Sequence, residues 1–289
     1  MDLTNYPFHV SQWPRAIASP DDFAGGDALN LSWDLGVVEE SRKKKVVKAW
    51  VGLLPTLTQL KRLKLWVQVT SPVFEAACRL AGLEVLQLKW SNLQNLDPIA
   101  ALTGLEALSI GSSTRVVSIE PLTELKSLKI LEIENFKAIT DFRPLTALTS
   151  LQRLSITGSM WSRQAVGSLE PFATMTGLKS LTVDTSSVTS LRPLSALTGL
   201  TELGLGGKLP YEEYAWLAAK LPDTQCRWFS PFLDMQGSGF GRCKVCGEDS
   251  LVMLTGKGKP VVCRHCEAEK VADHVSRFDA VRERAESEA

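Results

Sequence analysis

Six cysteines are spread unevenly through the 289 residues, and four of them fall in one short stretch, CKVCGEDSLVMLTGKGKPVVCRHC at 243–266. The two Cys-x-x-Cys pairs, Cys243/Cys246 and Cys263/Cys266, are separated by 16 residues, a spacing that lets four thiolates reach one ion. Four sulfurs complete a tetrahedral shell, the arrangement of structural Zn2+, whereas catalytic zinc keeps a position for water or substrate. The pattern therefore predicts a metal staple rather than a reacting centre. His265, inside the second pair, is an alternative ligand that ranks behind the four thiolates.

A search for other chemistry returns little. The histidines are His9, His265 and His274, and none stands beside a serine or cysteine in a nucleophile motif. No phosphate-binding G-x-x-x-x-G-K-[ST], no H-E-x-x-H and no G-x-S-x-G occurs. Glu132 and Glu134 are neighbours on one strand face, but an open face lacks the burial that would raise one carboxyl pKa. The expectation is a protein that is not an enzyme.

Lys and Arg total 32 and Asp and Glu total 32, so no global charge draws the chain to phosphate backbones or acidic membranes. The N-terminal MDLTNYPFHVSQWPRAIASPDD carries no basic segment followed by an apolar run, and no run of 18 apolar residues occurs. The expectation is a cytoplasmic protein with no membrane partner. In a reducing compartment the cysteines read as one metal site plus two core thiols, Cys78 and Cys226.

The elements that must carry any site come from a repeat. LTQLKRLKL from Leu57, LAGLEVLQL from Leu80, LTGLEALSI from Leu102, LKSLKILEI from Leu125, LTSLQRLSI from Leu148, MTGLKSLTV from Met175 and LTGLTELGL from Leu197 follow at steps of 23, 22, 23, 23, 27 and 22 residues. Each ends in a short alternating strand with apolar residues on one side. A single unit cannot bury its own apolar edge, so copies must stack on a shared core. Pro98, Pro121, Pro144, Pro171 and Pro193 mark the start of a helical turn on the far side, where a missing N–H costs nothing.

This pattern resembles the leucine-rich repeat family, in its 22-residue internalin-like class, over residues 26–229. The resemblance implies an α/β solenoid: a curved array whose parallel sheet lines a concave face. One departure stands out. Where the family places Asn, this chain has Ser91, Ser113, Ser159 and Ser186, with Phe136 in one copy. The expected division is an N-terminal cap at 1–56, repeats and C-terminal cap at 57–230, a linker at 231–241 containing GSGFG, and a finger with a C-terminal helix at 242–289. The N-terminal cap offers a strand in ALNLSW at 28–33 and a helix burying Val47, Trp50, Val51 and Leu54; the C-terminal cap offers a helix from Pro210 to Leu221 and a short strand near Cys226–Trp228. The finger resembles a treble clef if a helix follows Cys266, and a zinc ribbon otherwise.

On the concave face the residues alternating with the core leucines point outward. Arg62, Lys64 and Lys89 fall in the early repeats, and Glu132, Glu134, Asp184 and Glu202 in the later ones, with Arg153, Trp66 and Ile130 among them. A basic half facing an acidic half suits a protein partner, since complementarity fixes orientation. The 27-residue step puts Met160, Trp161 and Arg163 on a loop rim, and Trp and Arg are frequent interface anchors. The expected function is a non-catalytic interaction scaffold holding a protein partner on the concave face through Arg62, Lys64, Trp66, Lys89, Ile130, Glu132, Glu134, Arg153, Trp161 and Asp184. An immunity-type protein that neutralises a toxin is a sharper variant. The alternative is a nucleic-acid-associated adaptor using the finger. Five basic residues face two acids between Arg242 and Cys266, but four face seven in the helical run after it.

Overall fold

The computed structural model describes residues 6–32, 40–239 and 241–288. Trp33, expected at the end of the first strand, and Phe240 of the glycine-rich stretch lie outside the described residues. The chain divides into two compact units, residues 1–165 and 166–289.

The first unit contains a parallel sheet in sequence order: β1 (Ala28–Leu31), β2 (Arg62–Val69), β3 (Val85–Ser91), β4 (Ala107–Gly111), β5 (Ile130–Glu134) and β6 (Arg153–Thr157). Equivalent repeat positions pair without slippage: Leu63 faces Leu86, Leu86 faces Leu108, Leu108 faces Leu131 and Leu131 faces Leu154. These leucines and their partners two residues on, from Leu65 to Ile156, are buried. Each fully buried leucine is worth about 1.5–3 kcal/mol relative to exposure, so stacked copies supply what one copy lacks.

Between strands, Asp97–Ala101, Glu120–Glu124 and Arg143–Ala147 form 3-10 turns with the expected proline in their first positions. A polar residue three places before each proline caps the turn: Asn95, Ser118 and Asp141 accept from the backbone N–H of Asp97, Glu120 and Arg143. Helix α1 (Glu40–Leu53) buries Trp50, whose Nε1 donates to the Ala18 carbonyl at 2.7 Å; Val47 and Val51 are half-buried. Helix α2 (Ser71–Cys78) stands in the connection after β2 where the later copies have a 3-10 turn, and it buries Cys78, whose thiol is held above its ordinary pKa by desolvation.

The second unit carries β7 (Ser180–Val183) and β8 (Glu202–Leu205), paired in parallel, with 3-10 turns at Glu170–Thr174 and Arg192–Ala196. Helix α3 (Tyr211–Lys220) follows within a residue of the predicted span. The expected strand near Cys226–Trp228 is instead a single bridge from Gln225 to Glu202 followed by a 3-10 turn at Arg227–Phe229. Cys226, expected in the core, is half-buried, and desolvation pushes its thiol up to about 11.

A three-stranded antiparallel sheet completes this unit: β9 (Phe232–Asp234), β10 (Leu251–Leu254) and β11 (Val261–Cys263), then helix α4 (Ala268–Ser287). Within 231–241, expected to be connecting chain, Phe232–Asp234 thus pairs with β10. Val252, Leu254 and Val262 form a small core with Phe232 and Val271. Along α4, His274 and Phe278 meet the Tyr211 ring of α3, and Lys220 donates to the Ala285 carbonyl at 2.8 Å.

Candidate functional site

The sheet face opposite the leucines of the first unit carries three outward columns. One runs Arg62, Val85, Ala107, Ile130, Arg153; the next Asn30, Lys64, Gln87, Ser109, Glu132, Ser155; the third Trp66, Lys89, Gly111, Glu134, Thr157. The register therefore brings Arg62, Lys64, Trp66, Lys89, Ile130, Glu132, Glu134 and Arg153 onto one face.

Their charges are engaged within the chain. Lys89 Nζ meets Glu134 Oε2 at 2.7 Å across the intervening strand, and Gly111 makes the crossing possible. A Cβ on Gly111 would stand 3.1 Å from Lys89 Cδ and 3.2 Å from Glu134 Oε2. Lys64 lies 4.5 Å from the Trp66 ring centre and Lys89 lies 5.6 Å from it, while Trp90 packs edge-on against Trp66 at 5.5 Å. Desolvation pulls the Lys64 pKa below its ordinary value.

A further occupant of this face escaped the sequence reading. Residues 6–14 lie across the sheet as a strap. The Tyr6 hydroxyl donates to Glu132, and Arg153 stacks over the Tyr6 ring at 5.5 Å. Phe8 and Trp13 are buried with Ala107, flanked by Val85 and Ile130. Arg62 Nη1 donates to the Gln12 carbonyl at 2.7 Å, and Asn30 Nδ2 donates to the Pro14 carbonyl at 3.0 Å. Burial, reinforced by the Glu132 carboxylate, holds the Tyr6 hydroxyl protonated far above the ordinary range. The available signal was the run Val85, Ala107, Ile130: three apolar residues side by side in a column expected to face water.

The second feature is the loop after β6. Met160 is 88% exposed and Trp161 90%, while four residues later Gln164 is completely buried. Gln164 Oε1 accepts from Phe136 N at 2.7 Å, and its Nε2 donates to the Ile139 carbonyl at 2.8 Å and the Phe136 carbonyl at 3.1 Å. Ser159 Oγ accepts from the backbone of Trp161 and Ser162, and Ser162 Oγ donates to Asn135 Oδ1 at 2.7 Å. A Cβ on Gly158 would fall 2.1 Å from the Ser162 carbonyl, so the loop closes tightly at its start. Phe136 and the longer step are thus linked. In the earlier copies Ser91 and Ser113 bond each other in the interior at 2.5 Å, whereas Phe136 has no polar side chain, and the inserted residues return Gln164 to supply one. Ser159 accordingly ties the loop rather than the interior.

In the second unit Asp184 follows β7 and accepts from Ser186 N at 2.9 Å. The interior bond expected of Ser186 falls to its neighbours: Thr185 donates to the Gly206 carbonyl at 3.1 Å, and Ser187 exchanges bonds with Val166.

The four cysteines of 243–266 converge. Cys243 and Cys246 lie on a tight turn closed by Gly247, at φ +75°, whose N–H bonds the Cys243 carbonyl at 2.9 Å. Cys263 ends β11, and Cys266 precedes α4. All four sulfurs fall within 4.8 Å of one another; Cys243 to Cys266 is 3.9 Å and Cys246 to Cys263 is 3.6 Å. Disulfide sulfurs would sit at about 2.05 Å. A tetrahedron with metal–sulfur bonds of about 2.3 Å has edges of about 3.8 Å, so the cluster fits a thiolate-bound dication. The Ser250 hydroxyl beside Cys263 draws that thiol down to about 6, while hydrogen bonding from Cys246 leads the effects that push Cys266 up to about 12. Four crowded thiols resist ionising together, and a cation removes that resistance.

The hairpin tip between β10 and β11 is tied down through its backbone and one ring contact. Lys257 N donates to the Leu209 carbonyl at 2.7 Å, Lys259 lies over the Tyr211 ring at 5.1 Å, and a Cβ on Gly256 would meet Tyr211 N at 2.9 Å.

No protein-family model matches the chain, and no curated protein matches it. Among solved structures, internalin C2 from Listeria monocytogenes is 27% identical with a TM-score of 0.44, over 53% of this chain and 66% of that one. An internalin (inlF) of the same species is 23% identical, TM-score 0.42, over 59% of this chain and 61% of its own. A leucine-rich repeat protein of Leptospira interrogans is 16% identical, TM-score 0.48, over 73% and 57%. The chain spans under two thirds of the length of each. The leucine-rich-repeat-like architecture of this chain stands on its own repeat period, its in-register parallel ladder and its proline-led turns.

Proposed function

We propose that the protein is a non-catalytic scaffold that binds a protein partner, with the exposed Met160–Trp161 loop as one anchor and the outward sheet face as the other. The observation that carries this reading is the loop itself. Two large apolar side chains stand at 88% and 90% exposure on a turn whose base is tied down by the buried Gln164 amide. A rigid, solvent-facing tryptophan is the form of an interface anchor: its area is available for burial and its loop loses little freedom on binding.

The four cysteines suit structural zinc, which would supply folding energy to a segment with a core of only a few residues. The helix that follows Cys266 favours a treble-clef form over a ribbon. Thiols this close favour a reducing, cytoplasmic setting. Lys257 and Lys259 stay exposed on a hairpin tip tied to Leu209 and Tyr211, and it is the formal net charge of zero that favours a protein partner over nucleic acid.

The test is affinity capture from native lysate with zinc-loaded full-length protein, with and without nuclease and at two salt concentrations, alongside a Met160→Ala/Trp161→Ala variant. A protein that survives nuclease and moderate salt and is lost with the double variant supports the scaffold. Retention that vanishes with nuclease, or that ignores the double variant, overturns it.

A further inference from the structure

We infer that the outward face of β2–β5 is a groove for an aromatic-bearing peptide turn of the protein partner, and that residues 6–14 are a resident stand-in which that segment displaces. This rests on the scaffold reading and specifies the ligand chemistry of its sheet face.

The groove is built, not incidental. Ala107 is the small residue between Val85 and Ile130, and the gap it leaves is where Phe8 and Trp13 are buried. Polar groups flank this floor on both sides. Glu132 and Arg153 hold the hydroxyl and ring of Tyr6, and Arg62 grips a backbone carbonyl of the strap. Such a surface takes a segment that brings a phenol, an apolar ring and a second large aromatic around a single turn, with a main-chain carbonyl facing the arginine.

The strap fills this groove imperfectly. Asn30 Oδ1, Gln87 Oε1 and Trp13 Nε1 are buried without a hydrogen-bond partner, and Asn30 and Gln87 are each only 9% exposed. Two of these atoms are acceptors belonging to the sheet, in the column that faces the strap. Buried polar atoms left unpaired carry a penalty that a better-matched occupant removes by offering donors there, from backbone N–H or hydroxyl groups. The attachment runs through side chains rather than a backbone ladder. Over residues 6–14 the strap makes no strand ladder with the sheet, its regular backbone bonds being internal to the turn at His9–Trp13. Strand-like pairing begins at Ile17, which bonds Asn30 and Ser32 beside β1. Ile17 and Ala18 are fixed by β1 and by Trp50, leaving Pro14–Ala16 as the point about which residues 6–14 swing away.

The probe is the fluorescent peptide YPFHVSQWPR, residues 6–15, titrated into full-length protein and into a full-length Tyr6→Ala/Phe8→Ala/Trp13→Ala variant. Because the native strap competes at high effective concentration, the variant should bind the peptide more than tenfold tighter than wild type, and adding Ala107→Leu should abolish the gain. A folded variant that does not bind the peptide, or that binds no better than wild type, overturns the inference. If the triple variant does not fold, hydrogen exchange on wild-type protein decides. Amides of Gln12 and Trp13 should exchange at least a hundredfold faster than those of β4, and equal protection would mean the strap is core rather than occupant. A partner captured through Trp161 but indifferent to the strap variant would leave the scaffold standing and refute only the groove.

Discussion

Gln164 is the residue on which the rim loop turns, and its replacement gives a sharp energetic test. The side chain is fully buried, and it is the bonding partner given to Phe136 N and to the Ile139 carbonyl. In Gln164→Met the volume is nearly kept while both backbone groups lose their partner. Each buried group left unpaired costs about 1–3 kcal/mol, so the variant should lose about 2–6 kcal/mol. Gln164→Ala should lose a further ~1–2 kcal/mol, because the truncated side chain leaves a cavity. Urea unfolding read by tryptophan fluorescence measures both, and the loosened loop should also weaken partner capture. Methionine at this position within about 0.5 kcal/mol of wild type would refute the claim that the inserted residues exist to satisfy Phe136.

Two other perturbations act on the second unit. Metal analysis of full-length protein should find one zinc per chain, and Cys246→Ser or a strong chelator should remove it and open 242–266 to protease; retention of that order without metal would contradict the staple. His274 is buried against Tyr211, and desolvation followed by the Lys259 charge lowers its pKa, partly offset by a hydrogen bond to the Pro231 backbone and by the Asp273 charge. The folded state therefore refuses a proton that the unfolded chain accepts below about pH 6.5, so stability should fall as pH drops through that value, by up to ~1.4 kcal/mol per pH unit. His274→Leu should flatten that slope in acid unfolding curves, and an unchanged slope would exclude His274 as its source.

Much of the architecture was legible because a repeat writes its core many times: L-x-x-L-x-x-L-x-L fixes strand, spacing and buried face in each copy, and the prolines mark the turns. The convergence of the four cysteines was legible for a similar reason, since paired spacing constrains geometry. What escaped lies in contacts with no period. The strap is a single irregular segment, and its only trace is an apolar run in an outward column. Gln164 lies in an insertion whose length was visible but whose return into the interior was not. The charge columns were read correctly as a face, but not as paired: Gly111, by having no side chain, lets Lys89 reach Glu134. Glycine there looks like weak strand sequence until the neighbours on both sides are seen.

The most direct measurement is in-cell photo-crosslinking with a benzoylphenylalanine replacing Trp161, compared with the same probe at the half-buried Thr123 in the Glu120–Glu124 turn. The scaffold account predicts one discrete protein adduct from position 161 that is absent from position 123. No protein adduct at 161, or the same adducts from both positions, would contradict it.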